Sequence, residues 1–258
     1  MKEIMLSTAA LFIFCATTFI FFISQYYTEI VKKNKPSKTI FYIYLFFVVV
    51  TQFGFNIGIT RVKCNCTQLI ISLIGTIFPW LFVFFATVFI LIKFPGWKMP
   101  FSNTFGYFVV YLFGIKSLLI NKILKPVTTH VESNSTSNEN PKISTENIKG
   151  ADYYLAIQHI YDNPSLFINE ITPENFEQFW SKFSGALFKS GAEAYKHELK
   201  KYIIIKDCIA EFMWYILSGV LSMSISYAYL NNATCTLPTS DSVIKDAEQD
   251  GDDVKDDI

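Results

Sequence analysis

Histidine and cysteine are scarce in this chain of 258 residues, with three of the first and five of the second. Five scattered cysteines are too few for a disulfide framework and do not make a zinc site. His130, His159 and His197 stand apart, and "HELKK" at His197 lacks the second histidine of a zinc-protease motif. There is no Gly-x-Ser-x-Gly, no phosphate-binding glycine loop and no Cys-x-x-Cys. Nothing therefore supplies a nucleophile, a base and a site together, so an enzyme is not expected and no cofactor or metal is called for. Net charge is missing as well. The 22 basic and 22 acidic residues cancel, which leaves no basic excess for a nucleic-acid partner.

Apolar residues are what the chain has in quantity: 51% are hydrophobic, 26 are Phe, and the mean hydropathy is +0.31. They are blocked together rather than dispersed, which predicts an integral membrane protein in contact with a lipid bilayer. A hydrocarbon core of ~30 Å needs about 20 apolar residues at 1.5 Å rise. Ile4–Ser24, Thr39–Ile59 and Leu69–Ile92 meet that need, and a fourth run extends from about Ile209 to Leu230. Only Glu211 places a charge inside any of them. Lipid offers no partner to exposed backbone groups, so each run is predicted to be a helix and the fold class all-α. The first run lacks a small-residue cleavage signature and is expected to remain as an anchor.

Phe105–Ile120 is short for a span and carries Lys116. Tyr107, Tyr111, Gly114, Asn121, Lys122 and Lys125 fall on one side of a helix, while Phe108, Val109, Leu112, Phe113, Leu119, Ile120 and Ile123 fall on the other. That pattern predicts one amphipathic helix lying in the interface within residues 93–126, apolar face down. Pro95-Gly96 would end the third span, with Trp97 at headgroup depth and Ser102 or Asn103 capping the next helix.

Lysine asymmetry predicts orientation. Lys32, Lys33, Lys35 and Lys38 follow the first span, Lys93 and Lys98 follow the third, and Lys196, Lys200, Lys201 and Lys206 precede the fourth. Four spans put all these clusters on one side, which the positive-inside rule makes cytoplasmic. Lys98, Lys116, Lys200 and Lys201, with Trp97, are the candidates for lipid contact. Cys64, Cys66 and Cys235 then share the opposite, oxidising face, and Cys235 is expected to bond Cys64 or Cys66. Two Asn-x-Thr sequons, at Asn65 and Asn232, lie on the same face as candidate glycosylation sites.

Residues 127–150 are polar and predicted to be a disordered linker. Residues 151–202 show helical periodicity and many aromatic residues, with starts expected at Asn163-Pro164 and Thr172-Pro173-Glu174. Three short helices are predicted, then a longer one from about Ala192 into the fourth span (203–230). This helical insert is small for an independent core, so its apolar face should dock on the interfacial helix or on another protein. The segment 231–258 is acidic and expected to be a disordered tail. Gly54 and Gly58 in the second span, and Ser218, Ser222 and Ser226 in the fourth, are small-residue stripes suited to close helix packing and to an oligomer. Pro79 should kink the third span. Asp207 and Glu211, one helical turn apart, are read as interfacially solvated carboxylates.

Three stretches, "FPGWKMPFSNTFGY" at Phe94–Tyr107, "NEITPENFEQFW" at Asn169–Trp180 and "WYILSGVLSMSISYAYLNNATC" at Trp214–Cys235, together resemble multi-pass membrane proteins of nucleocytoplasmic large DNA viruses. The resemblance covers the third span onward. It implies a virion component of minor-capsid type in the inner membrane, assembled on endoplasmic-reticulum membrane, with other viral membrane or capsid proteins as partners. The competing expectation is a channel or transporter subunit with a regulatory insert, its pore built by oligomerisation around Asn56 and Glu211.

Overall fold

A computed structural model describes residues 2–30, 38–126 and 158–235. The linker, the acidic tail beyond residue 235, Lys32, Lys33, Lys35, Tyr153 and Tyr154 lie outside the described residues. The protein is all-α and polytopic. Among the described residues four helices are long and apolar enough to span a membrane: α1 (Lys2–Ile30), α2 (Lys38–Cys64), α3 (Leu69–Lys93) and α9 (Ala192–Asn232). Between α3 and α9 come α4 (Pro95–Leu112), α5 (Ile115–Ile123), α6 (158–162), α7 (Pro164–Asn169) and α8 (Phe176–Phe183).

The four long helices run alternately up and down in a ring, α1 beside α2, α2 beside α3, α3 beside α9 and α9 beside α1. Lipid tails are as apolar as the side chains, so close fit and hydrogen bonds must select the neighbours. An aromatic cluster provides the fit: Phe21 stacks on Tyr44 at 4.3 Å between ring centres, and Phe14 meets Trp80 edge-on at 5.5 Å. A Cβ at Gly219 would strike the Phe14 ring, so only glycine lets α9 approach α1 here. Asn56 supplies the polar fit. Its Nδ2 donates to Thr76 Oγ1 at 2.7 Å and Ser226 Oγ at 2.8 Å, joining α2, α3 and α9.

Ser218, Ser222 and Ser226 are buried, as their stripe predicts. The glycine stripe behaves otherwise. Gly54 is exposed with nothing near its Cβ position, and Gly58 meets Leu6 only at ordinary contact, 3.6 Å. Gln52 and Asn56 take the inward face of α2 instead, because their amides find partners there. At Pro79 the third span changes register, from α-helix over Leu69–Pro79 to π-helix over Trp80–Phe85, and continues. Proline lacks the N–H that the α-ladder needs, and the wider π turn accommodates the gap. Ser222 Oγ, 3.3 Å away, donates to the Pro79 carbonyl at the switch.

The single interfacial helix is corrected. The chain bends by 81° between α4 and α5, with Gly114 in the left-handed region at φ +95. Before the bend, Phe105, Phe108, Leu112 and Phe113 remain exposed. After it, Leu119 and Ile123 turn inward and are fully buried. Helical periodicity puts all of these on one side, but the bend separates them, one group facing outward and the other a protein core.

That core belongs to a platform made of α5, the end of α4, α6–α8 and the first turns of α9. Val110, Ile115, Leu119, Ile168, Ile171, Phe176, Leu199 and Ile203 are fully buried in it. The three short helices and the long one stand where the sequence predicts them. One start moves: α8 begins at Phe176 rather than after Thr172, because Thr172 and Asn175 satisfy each other in a turn. An isolated antiparallel bridge, Leu124 to Phe188, ties the end of α5 to the segment after α8. The platform thus docks on its own chain. The α-helical part of α9 has 37 residues, about 55 Å at 1.5 Å rise. It outruns a bilayer core of ~30 Å and serves as both fourth span and platform helix.

Candidate functional site: the junction of bundle and platform

Opposite ends of the bundle are secured differently. At one end Cys64 bonds Cys235 with Cα atoms 5.5 Å apart, so of the two expected partners the structure selects Cys64. Cys66 is a free thiol whose sulfur accepts from Gln68 Nε2 at 3.1 Å. Beside the bridge, Lys63 Nζ donates to the carbonyls of Leu230, Asn231 and Ala233 at 2.7–2.9 Å. A cation here satisfies carbonyls that the helix end leaves open and complements its dipole. Asn65 and Asn232 are both exposed at this end, Asn65 in a left-handed turn at φ 54.

At the other end the chain leaves α3 through Phe94, and the first turns of α4 cross α9. Lys98 Nζ lies 2.5 Å from Asp207 Oδ2 and 3.8 Å from Glu211 Oε2. Two earlier expectations are corrected by this pair. Lys98, expected at the headgroups, is turned inward with 12% of its side chain exposed. Asp207 and Glu211, expected to be merely solvated, answer it across the helix crossing. Trp214 Nε1 donates to the Trp97 carbonyl at 2.9 Å, and the Phe101 ring stands 5.0 Å from that of Trp214. Residues 207, 211 and 214 of α9 thus meet 97, 98 and 101 of α4, helical spacing against a helical turn.

Lys206 completes the junction. It is 1% exposed, and its Nζ donates to the Ile168 carbonyl at 2.9 Å and Asn103 Oδ1 at 3.4 Å. One side chain thereby ties α9 to α4 and α7. A Cβ at Gly106 would collide with the Lys206 carbonyl oxygen, so α4 and α9 touch backbone to backbone here. Under this crossing lies a cavity of about 300 Å³, lined among others by Lys98, Ser102, Asn103, Asn169, Glu174 and Lys206. Asn169 Oδ1 is buried at its edge without a donor.

Of the other lipid candidates, Trp97 and Lys116 are exposed and Lys201 is half-buried. Lys200 is engaged on the platform's outer surface instead, its Nζ 2.7 Å from Glu177 Oε1 and over the Phe176 ring at 5.6 Å. Lys196 joins the same carboxylate at 3.1 Å. Hydrogen bonds from Lys200 and Lys196 hold the Glu177 carboxyl below its ordinary range. Among the described residues no cluster of three or more His, Cys, Asp or Glu could hold a metal ion.

Sequence reasoning missed Lys63 and Lys206 as structural residues; Lys206 entered it only as topological charge. The signal for Lys206 was present: a lysine directly after three isoleucines, on the buried side of a helix whose lysines otherwise face water. Asn56 and Glu211, proposed as a pore pair, are not brought together. Asn56 bonds Thr76 and Ser226 inside the bundle, and Glu211 pairs with Lys98 at the junction. No protein family, curated protein or solved structure matches the chain.

Proposed function

We propose that this chain is a structural membrane protein whose task is to hold a rigid helical platform against one face of a bilayer. The observation that carries the reading is α9, a helix that passes without a break from the platform core into the bundle. Ile203 lies in one core and Tyr215 in the other, twelve residues apart. A load or a position imposed on the platform therefore passes directly to the membrane segment. The Lys98–Asp207 pair and the Gly106 crossing stiffen the same joint.

Lysine asymmetry supports a cytoplasmic platform and an oxidising environment for the Cys64–Cys235 end. The resemblance to large-DNA-virus membrane proteins supplies the setting: an inner membrane built on endoplasmic reticulum, its former cytosolic face toward the capsid. In that setting the platform is the capsid-facing contact. A channel gains less support, since Asn56 and Glu211 already have protein partners.

Detergent extraction of purified particles tests the setting. The protein should stay with the capsid shell while lipid is removed, and its absence from particles sinks the viral reading. Epitopes at residue 140 and at the carboxyl end test the orientation and should be reached from opposite compartments.

A further inference from the structure

The junction cavity presents two unmet chemical demands together. Lys206 donates only to neutral oxygens, and among the described residues no carboxylate lies within 4.0 Å of its ammonium. A cation buried to 1% exposure with no carboxylate in contact, and only Asp207 and Glu170 acting on it at longer range, leaves a place for an anion. Asn169 Oδ1 makes the opposite demand. It is buried with no donor, which leaves an acceptor's desolvation uncompensated. Glu174, exposed and lining the same cavity, adds a negative charge on the acceptor side of the account.

A simple anion would satisfy Lys206 but meet Glu174 and Asp207. A simple cation would satisfy Asn169 and Glu174 but meet Lys206 and Lys98. One group meets both demands if it carries a phosphate and an N–H-bearing ammonium. The volume of about 300 Å³ equals roughly ten waters' share of liquid, room for a lipid headgroup and not for its acyl chains. Phe94, Trp97 and Met99 are exposed on the lining segment or beside it and offer an apolar wall where the chains would emerge.

We propose that the cavity at the α4–α9 crossing binds a phosphoethanolamine headgroup, its phosphate accepting from Lys206 and its ammonium donating to Asn169 Oδ1 and Glu174. Phosphocholine lacks the N–H that Asn169 requires, so the site discriminates between the two commonest zwitterionic headgroups. The inference rests on membrane embedding and is independent of the viral setting.

The full-length protein in detergent, mixed with equal amounts of phosphatidylethanolamine and phosphatidylcholine, is read by native mass spectrometry. The ethanolamine lipid should be retained about tenfold over the choline lipid, the factor expected of one charge-assisted hydrogen bond. Lys206→Met should abolish retention of both. Glu174→Gln changes an exposed side chain that the fold does not need, and it should bring the ratio toward one. Excess free phosphoethanolamine should displace the lipid, whereas glycerophosphocholine should not. Lipid carried through purification assigns the source to the bilayer, and binding of free phosphoethanolamine alone assigns it to a soluble metabolite. Equal retention of the two lipids, or a ratio that Glu174→Gln leaves unchanged, overturns the proposal.

Discussion

Bundle and platform use phenylalanine differently. In the bundle Phe12, Phe46 and Phe82 point outward, more than half exposed, while Phe14, Phe21 and Phe84 point inward. In the platform Phe176, Trp180 and Phe188 are all buried. Lipid accepts an outward ring at no cost, so hydrophobicity in the bundle does not decide which face is inside. Water does not accept it, so in the platform hydrophobicity decides nearly everything. The bundle must then choose its faces by shape and hydrogen bonds: the Gly219 notch for Phe14, the Asn56 clamp, the Ser222 contact at Pro79.

The sharpest way to break that comparison is one truncation in each region. Phe176→Ala should cost the platform about 3–5 kcal/mol, transfer and cavity terms together. Phe84→Ala, equally buried, should cost distinctly less, because its ring stays in an apolar medium whether the bundle is assembled or not. Thermal unfolding in detergent, with hydrogen exchange read separately on α5–α8 and on α1–α3, measures both. Equal losses would mean that the two regions obey one rule.

The joint between them comes next. Lys98→Met leaves Asp207 and Glu211 without their cation and should cost about 3–4 kcal/mol, as removal of one partner from a buried pair does. The double variant Lys98→Met, Asp207→Leu should recover much of that loss. If it does not, the pair is more than a charge balance.

A smaller effect is expected of the polar clamp. Asn56→Leu should destabilise the bundle by about 1 kcal/mol, the scale of single hydrogen-bonded side chains between membrane helices. It should leave exchange in the platform unchanged.

The smallest concerns pH. Glu177 is depressed in the folded platform by Lys200 and Lys196. A carboxyl that is more acidic when folded stabilises above its ordinary value near 4.5, and that contribution disappears as pH falls through its folded value. Melts between pH 6 and pH 3 should therefore show a slight platform destabilisation that Glu177→Gln removes. The pair is solvent-facing, so the shift should be modest and screened by salt.

The four spans, the short helices of the insert and the burial of Ser218, Ser222 and Ser226 were legible because each follows from local pattern and segment length. The α4–α5 bend was not. Periodicity placed Phe108 and Leu119 on one stripe, and only the left-handed Gly114 sends them to different surroundings. Gly54 and Gly58 formed a motif but make no close helix approach among the described residues, while the glycines that do, Gly106 and Gly219, lie outside it. Whether a helix approaches closely depends on what stands opposite, which one strand of sequence does not contain.

The site divides in the same way. Cysteine placement narrowed the bridge to Cys64 or Cys66, and three-dimensional reach selected Cys64. Lysine counts marked the platform side of the bundle, yet Lys98 and Lys206 face inward there. Charge number can be read along a chain, but charge direction depends on which acceptors the fold brings within hydrogen-bond distance. By itself the sequence determined the class, the four helices long and apolar enough to span and the helical character of the insert, because a bilayer imposes helix on any sufficiently long apolar run. Tertiary structure alone decided the junction, since its ion pair, its buried lysine and its cavity draw on residues a hundred positions apart whose meeting no local pattern encodes.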